Sequence, residues 1–265
     1  MKSKRPTIMI FGMGYVGITL GVVLADEGFS VIGIEPRKRG LQLLRKGKPY
    51  IYETGLDQAF RKQFNRQFKF YEAPTAPADV YVVAVGTPVD NHKKSPDLGF
   101  VKTVAESIGR LIRPSNLVIL RSTVPVGTTR KFFVPLVEKF SGLKAGRDFS
   151  VVFAPERTVE GRALVELREH PQIVGGIDSK SIQAASAIFR TFAPLVIPVS
   201  NLEVAELVKL FNNTYRDVVF GFANEVALIC DGFNVDPQEV IQAANQDYPR
   251  SRIPLPSPGV GGYCL

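Results

Sequence analysis

The sequence predicts an α/β fold: a doubly wound, mostly parallel sheet, followed by a long helix that opens a helical central domain. Three observations predict it. Short apolar runs of strand length alternate with helical segments from residue 7 to residue 199. A glycine-rich turn, Gly12-Met13-Gly14-Tyr15-Val16-Gly17, joins the first strand to the first helix. Beyond Ser200 the alternation stops, and 202–231 runs without proline and with Gly221 as its one glycine. The expected domains are therefore 1–199 and 200–265.

Thr7 to Phe11 is β-branched and apolar, the first strand. Ile18 to Glu27 has helical spacing and stops before Gly28, a natural C-cap. Ser30 to Glu35 is the next strand, ending on an acid 23 residues after Gly12. Strand, glycine turn, helix, strand and acid in this order describe a Rossmann-type dinucleotide site: one glycine for the tight turn, one for room beside a pyrophosphate, one for close packing of helix on strand. The helix N-terminus offers free N–H groups and a positive dipole end to phosphates. A carboxylate at Glu35 suits the two ribose hydroxyls. The predicted cofactor contacts are Gly12, Gly14, Tyr15, Val16, Gly17, Glu35 and Arg39, with NAD as cofactor because Glu35 repels a 2′-phosphate. Arg37, Lys38 and Arg39 keep an NADP reading open.

Further strands are expected at Phe68–Tyr71, Asp79–Val85, Asn116–Arg121, Phe149–Ala154 and Leu195–Val199, with helices over 39–46, 56–64, 98–112, 128–140 and 179–192. Nearly all-apolar strands such as Val80-Tyr81-Val82-Val83-Ala84-Val85 suit a parallel sheet covered on both faces. Such a sheet holds its ligand at the carboxyl ends of its strands. Three polar motifs with proline fall there: Gly86-Thr87-Pro88, Ser122-Thr123-Val124-Pro125 and Ala154-Pro155-Glu156. On the long helix Lys209 and Asn213 stand four apart and share a face. A last helix is expected over 236–244, and a glycine- and proline-rich loop follows it to Cys264.

Composition narrows the class. At 45% hydrophobic and 22% charged the chain is globular, which excludes intrinsic disorder. Two cysteines, Cys230 and Cys264, exclude a disulfide-built scaffold, and two histidines, His92 and His170, argue against a multi-histidine metal site. No metal is expected. The net charge of +8 resides in 37–69, which holds ten basic residues against two acids. That is a local basic surface, solvated or suited to a small anion. Phe64, Phe68 and Tyr71 lie nearby, but no nucleic-acid motif accompanies them, and no nucleic-acid partner is expected. Residues 6–25 are uncharged, yet Gly12, Gly14, Gly17 and Gly21 interrupt them, so a leader or membrane anchor is not expected.

Seven ordered motifs make the chain resemble the UDP-glucose/GDP-mannose dehydrogenase family: GMGYVG at 12–17, GTPVD at 86–90, STVPVGTT at 122–129, APERTVEG at 154–161, PQIVGG at 171–176, EVAELVKLFNNTY at 203–215 and PGVGGYC at 258–264. The resemblance implies oxidation of a sugar CH2OH to a carboxylate with two NAD+. Position by position it implies Cys264 as nucleophile, since a thiohemiacetal lets one site give up hydride twice. It implies Lys209 as stabiliser of developing oxyanions, and Asn213 as holder of a catalytic water or of the substrate. Glu160 is implied as a base acting through water, with Glu156 binding or orienting. Thr123 is placed near the nicotinamide and the water, and Thr87 on the cofactor. Gly261 belongs to the substrate loop. Cys230 is read as a structural, mid-helix cysteine, and His92 and His170 as surface or capping residues.

The family continues past the cysteine with an aspartate and a further nucleotide-binding domain. A chain ending at Leu265 is therefore expected to bind NAD and turn over poorly. The PGVGG loop leans toward a UDP-N-acetylhexosamine, UDP-N-acetylmannosamine or UDP-N-acetylglucosamine, with UDP-glucose as the alternative. A homodimer through 202–231 and a cytoplasmic setting are expected. Two rivals remain: a β-hydroxyacid dehydrogenase, which needs no cysteine, and a non-catalytic NAD-binding or dimerisation module.

Overall fold

The structure, a computed structural model, describes residues 5–90, 92, 94–250 and 252–257. The described residues divide into two compact units between Leu207 and Val208. The first opens with β1 (Thr7–Phe11), α1 (Tyr15–Asp26) and β2 (Ser30–Ile34), followed by α2 (Lys38–Arg45), α3 (Leu56–Gln63) and β3 (Phe68–Tyr71). Then come β4 (Val80–Val83), a short hairpin of β5 (Val89–Asp90) and β6 (Ser95–Pro96), α4 (Gly99–Leu111) and β7 (Leu117–Leu120). A π-helical turn over Thr129–Phe133 runs into α5 (Val134–Ser141). The unit continues with β8 (Ser150–Phe153), α6 (Ala163–Glu169), β9 (Gln172–Gly176), α7 (Ser179–Phe189) and β10 (Val196–Val199). The long helix α8 (Leu202–Gly232) and α9 (Pro237–Asn245) complete the described elements.

Eight strands form one sheet in the order β10-β9-β8-β7-β4-β1-β2-β3. The chain starts in the middle and winds outward both ways, the doubly wound arrangement expected from the alternation. β1 pairs in parallel with β2 and β4, and the parallel run extends through β7 to β8. All four residues of β4, β7 and β8 are buried, as a sheet covered on both faces requires. Of the aromatic residues beside the basic segment, Phe68 is wholly buried while Phe64 and Tyr71 are half-buried; Phe60 stacks on Phe64 and Phe70, and Phe68 meets Phe60 and Phe70 at a tilt.

Three local features depart from the sequence expectation. β9 was not foreseen, because Gln172-Ile173-Val174-Gly175-Gly176 reads as a short apolar run into a glycine turn. It joins β8 antiparallel and β10 parallel, so the sheet reverses direction there. Its glycines are needed by contact, since a Cβ at Gly175 would stand 2.2 Å from the Asn201 carbonyl oxygen. α6, short and bounded by loop residues, was also missed. The helix expected over 128–140 is a π-turn followed by α5, an arrangement common near functional sites. Among the described residues no helix is long and apolar enough to cross a membrane.

Candidate active site

The glycine turn lies between β1 and α1 and is dictated by contact. Gly12 has φ +91°, and a Cβ there would come within 2.6 Å of the Ala84 carbonyl oxygen on β4's exit. A Cβ on Gly17 would sit 1.9 Å from the Gly12 carbonyl oxygen, so helix and turn could not close. Gly14 is different: nothing stands within 4 Å of its missing Cβ, leaving open the side from which a phosphate approaches. Gly14 caps α1 without a side-chain hydrogen bond. By helix geometry, the first-turn N–H groups of Tyr15, Val16 and Gly17 have no intrahelical acceptor. This cradle fits a dinucleotide's pyrophosphate.

Glu35 follows β2 immediately, beside the turn, where Gly12 N donates to Ile34 O at 3.0 Å. Its carboxylate is buried and held by Arg37 and by the Tyr50 hydroxyl, whose oxygen also lies 2.6 Å from the Met13 carbonyl oxygen in the glycine turn. Burial pushes the Glu35 carboxyl up, but the Arg37 and Tyr50 hydrogen bonds outweigh it and leave it ionised below the usual range. Arg39 is exposed on α2.

The three proline-containing motifs emerge from the carboxyl ends of β4, β7 and β8, which are adjacent in the sheet. They are tied to one another. Thr87 Oγ1 donates to Thr123 O at 2.6 Å, and Ser122 Oγ donates to Val85 O at 2.7 Å. Arg121, fully buried at the end of β7, donates through Nε and Nη2 to Glu156 Oε2 (3.1 and 2.7 Å) and through Nη2 to Gln172 Oε1 (3.0 Å). Glu156 Oε1 accepts from the N–H groups of Arg157 and Thr158. Burial pushes its carboxyl up, and Arg121 pulls it back below the ordinary value. Thr123 is left exposed at the rim.

The next loop carries Glu160, which is exposed. Its neighbour Gly161 is pinned by the glycine-turn tyrosine, whose oxygen also lies beside Val159 O. Tyr15 OH contacts Val159 O at 3.2 Å, Gly161 N donates to Tyr15 OH and to Glu53 Oε2 (2.8 Å each), and Tyr15 OH donates to Glu53. Burial and the Glu53 hydrogen bond push the Tyr15 phenol above its usual value, so it stays a donor. Tyr15, Ile51, Tyr52, Glu160 and Gly161 line an open recess of about 460 Å3.

At the other end of the Thr123 loop, Glu206 of α8 accepts from Gly127 N (2.5 Å), Thr129 N (2.9 Å) and Thr129 Oγ1 (2.6 Å). Arg130 pairs with Glu203 at 2.6 Å. In the second unit, Lys209 and Asn213 lie half-buried one turn apart on α8. Cys230 is buried in the same helix, as a structural cysteine would be. His170 caps the end of α6 and His92 is exposed. Cys264 and Gly261 lie outside the described residues.

Comparison with known proteins agrees with this arrangement. Residues 6–193 match the NAD binding domain of the UDP-glucose/GDP-mannose dehydrogenase family, and residues 203–265 match its central domain. The chain belongs to this family. The cofactor of its first domain is NAD, which the glycine cradle and Glu35 fit. A UDP-N-acetyl-D-mannosamine dehydrogenase from Yersinia pestis is 35% identical, over 98% of this chain and 63% of the relative. An NDP-N-acetyl-D-galactosaminuronic acid dehydrogenase from Ralstonia nicotianae is also 35% identical, over 98% and 62%. The solved UDP-D-ManNAc dehydrogenase from Pyrococcus horikoshii superposes with a TM-score of 0.93 at 33% identity, covering 98% of this chain and 62% of that one. The chain spans about three fifths of the length of the curated relatives it matches.

Within this family member, Arg121, Tyr50, Glu53 and Glu206 hold the candidate site together and escaped the sequence reading. Arg121 had a usable signal: a charge ending a buried apolar strand must find a buried partner. The others sit in an aperiodic loop or on a helix face, and their partners are 13 to 108 residues away.

Proposed function

We propose that the chain forms the cofactor-binding and central parts of an NAD-dependent UDP-sugar 6-dehydrogenase, with UDP-N-acetylmannosamine as substrate. The single observation that carries this reading is the joining of the Thr87, Thr123 and Glu156 loops at adjacent strand ends, in a chain whose two parts both match this family. The names of the relatives favour an N-acetylhexosamine over glucose. UDP-N-acetylglucosamine and UDP-glucose are the alternatives.

NAD, when bound, accepts hydride from the sugar C6 in each of two oxidations. The first hydride and a hydroxyl proton leave the alcohol as aldehyde. The Cys264 thiolate then adds to the carbonyl carbon, giving a tetrahedral thiohemiacetal with a C–H bond and an oxygen. Loss of the second hydride and a proton gives a thioester, and water hydrolyses it to the carboxylate and frees the thiol. The Lys209 ammonium neutralises the oxyanion at each stage. Asn213 holds the water or substrate hydroxyl, and Glu160 takes the proton of the attacking water through a bridging water. Thr123 borders the nicotinamide, Thr87 and Thr123 contact the cofactor, and Gly261 lets the cysteine loop approach the sugar. Arg39 contributes positive charge beside the phosphates. Val16, like Tyr15, presents its backbone N–H to the pyrophosphate.

A second copy of the chain is the proposed protein partner. Phe211, Tyr215, Val218, Phe222 and Ile229 are exposed on the long helix at spacings of three, four and seven, the period of a helix-pairing seam.

Calorimetry with NAD, and NADH release with each UDP-sugar, test the reading on this chain and on a version extended by a nucleotide-binding domain. The expected result is NAD binding by both and two NADH per sugar from the extended protein alone. Cys264→Ser should stop the extended protein. Unchanged turnover in that variant would sink the thioester route and favour a two-electron dehydrogenase.

A further inference from the structure

A carboxylate offers about four lone-pair positions, and all four on Glu35 are taken. Oε1 accepts from the Arg37 backbone N–H and from Arg37 Nε, both at 2.9 Å. Oε2 accepts from Arg37 Nη2 at 3.1 Å and from the Tyr50 hydroxyl at 2.5 Å. The two halves of this set differ. The Arg37 amide is main chain, and Tyr50 is half-buried, with its oxygen 2.6 Å from Met13 O. The guanidinium is an exposed cover, with the Arg37 side chain 67% exposed against 2% for Glu35. It rests over the Tyr50 ring at 5.2 Å and also donates to the Tyr50 oxygen at 2.7 Å.

Resting on the reading of Glu35 as the ribose acceptor, we propose that the Arg37 guanidinium is a latch on the adenosine ribose site. The latch closes one lone-pair position on each Glu35 oxygen and is displaced when the cofactor's two hydroxyls take those positions. The count matches: Nε leaves Oε1, Nη2 leaves Oε2, and the 2′- and 3′-hydroxyls supply one donor to each. The Arg37 amide and Tyr50 keep the carboxylate in place throughout. Two consequences follow. Opening the latch uses part of the binding free energy, so NAD binds more weakly than the site permits. Once displaced, the guanidinium stands beside the 2′ position and softens the repulsion that Glu35 exerts on a 2′-phosphate. Arg37 therefore sets both affinity and cofactor choice without touching the reacting ring.

The test is calorimetric titration of NAD and NADP at pH 8 into the wild-type chain, Arg37→Ala, Arg37→Lys and Glu35→Ala, with each variant's melting temperature measured without cofactor. Arg37 is largely exposed, so its variants should melt within a few degrees of wild type. Arg37→Ala should bind NAD about threefold or more tighter, the scale of a partly exposed ion pair, and should widen the preference for NAD over NADP. Arg37→Lys, which keeps the charge but loses the fork, should tighten NAD similarly while retaining more NADP binding than the alanine variant. Glu35→Ala should weaken NAD about tenfold or more. If Arg37→Ala leaves NAD affinity unchanged or lowers it while Glu35→Ala weakens binding, the latch is wrong and the ribose reading stands. If Glu35→Ala has no effect, the ribose reading itself fails.

Discussion

Arg121 shows how one side chain can organise a site without reaching the substrate. It is wholly buried, and its guanidinium spans Glu156 and Gln172, linking the loop after β7 to the loop after β8 and to β9. Two opposite charges out of water roughly offset each other, but removing one leaves the other uncompensated. Arg121→Met should therefore destabilise the chain by about 3–5 kcal/mol, read as a fall in the urea midpoint. Adding Glu156→Gln should recover a large part of that loss. If Arg121→Met alone costs nothing, the pair does not carry the loops. Tyr15 works at the same scale. Its hydroxyl accepts from the Gly161 N–H, next to Glu160, so Tyr15→Phe should leave NAD affinity within about twofold, because the backbone cradle is intact. In the extended enzyme it should lower kcat about tenfold or more by loosening Glu160, the proposed base. Equal kcat for Tyr15→Phe and the parent would separate Tyr15 from the Glu160 loop. The roles of Gly12 and Gly17 were legible in the sequence because each is a local demand of the turn. Tyr50, Glu53 and Arg121 were not, since a hydrogen bond across tens of residues leaves no pattern in spacing.

At the scale of elements, the long helix carries two separable duties. Its first turns belong to the first unit, where Glu203 and Glu206 grip the π-turn and the end of the Thr123 loop. Further along, the helix carries the exposed apolar seam proposed to meet a second copy. A buried phenylalanine contributes about 1.5–3 kcal/mol, and a two-fold interface contains each residue twice. Phe222→Ala should then raise the dimer dissociation constant about a hundredfold or more, measured by sedimentation or light scattering across a concentration series. A wild-type chain that stays monomeric at high concentration would overturn the seam. The helix itself was plain in the sequence, as thirty residues without proline, and so were the strands built from continuous β-branched runs. β9 was not, because a strand of five residues ending in two glycines has too little β-propensity to read alone. Pairing with β8 and β10 makes it a strand.

For the whole molecule, the carboxylates set the behaviour in acid. Asp26 and Glu203 are held below the usual range chiefly by hydrogen bonds from Lys62 and Arg130. In Glu35 and Glu156 burial pushes upward, and the partnering arginines prevail. A group depressed in the folded state adds stability that is present above its unfolded value, about 4 for carboxyls. That stability is lost as pH falls through the folded value. These four groups should leave urea midpoints level between about pH 7 and 5 and bring them down below about pH 4. A curve still level at about pH 3 would mean that the ion pairs contribute little. The sequence by itself determined the doubly wound architecture, the dinucleotide turn, the family and the order of its motifs, because these follow from periodicity, glycine placement and short-range turn chemistry. Only the tertiary structure decided that the Thr87, Thr123 and Glu156 loops are tied together, that Glu35 is covered by Arg37, and that the sheet reverses at β9. The loop ties and the sheet reversal join residues far apart in sequence, and the cover on Glu35 depends on how the Arg37 side chain lies over its near neighbour; each is a property of the folded chain.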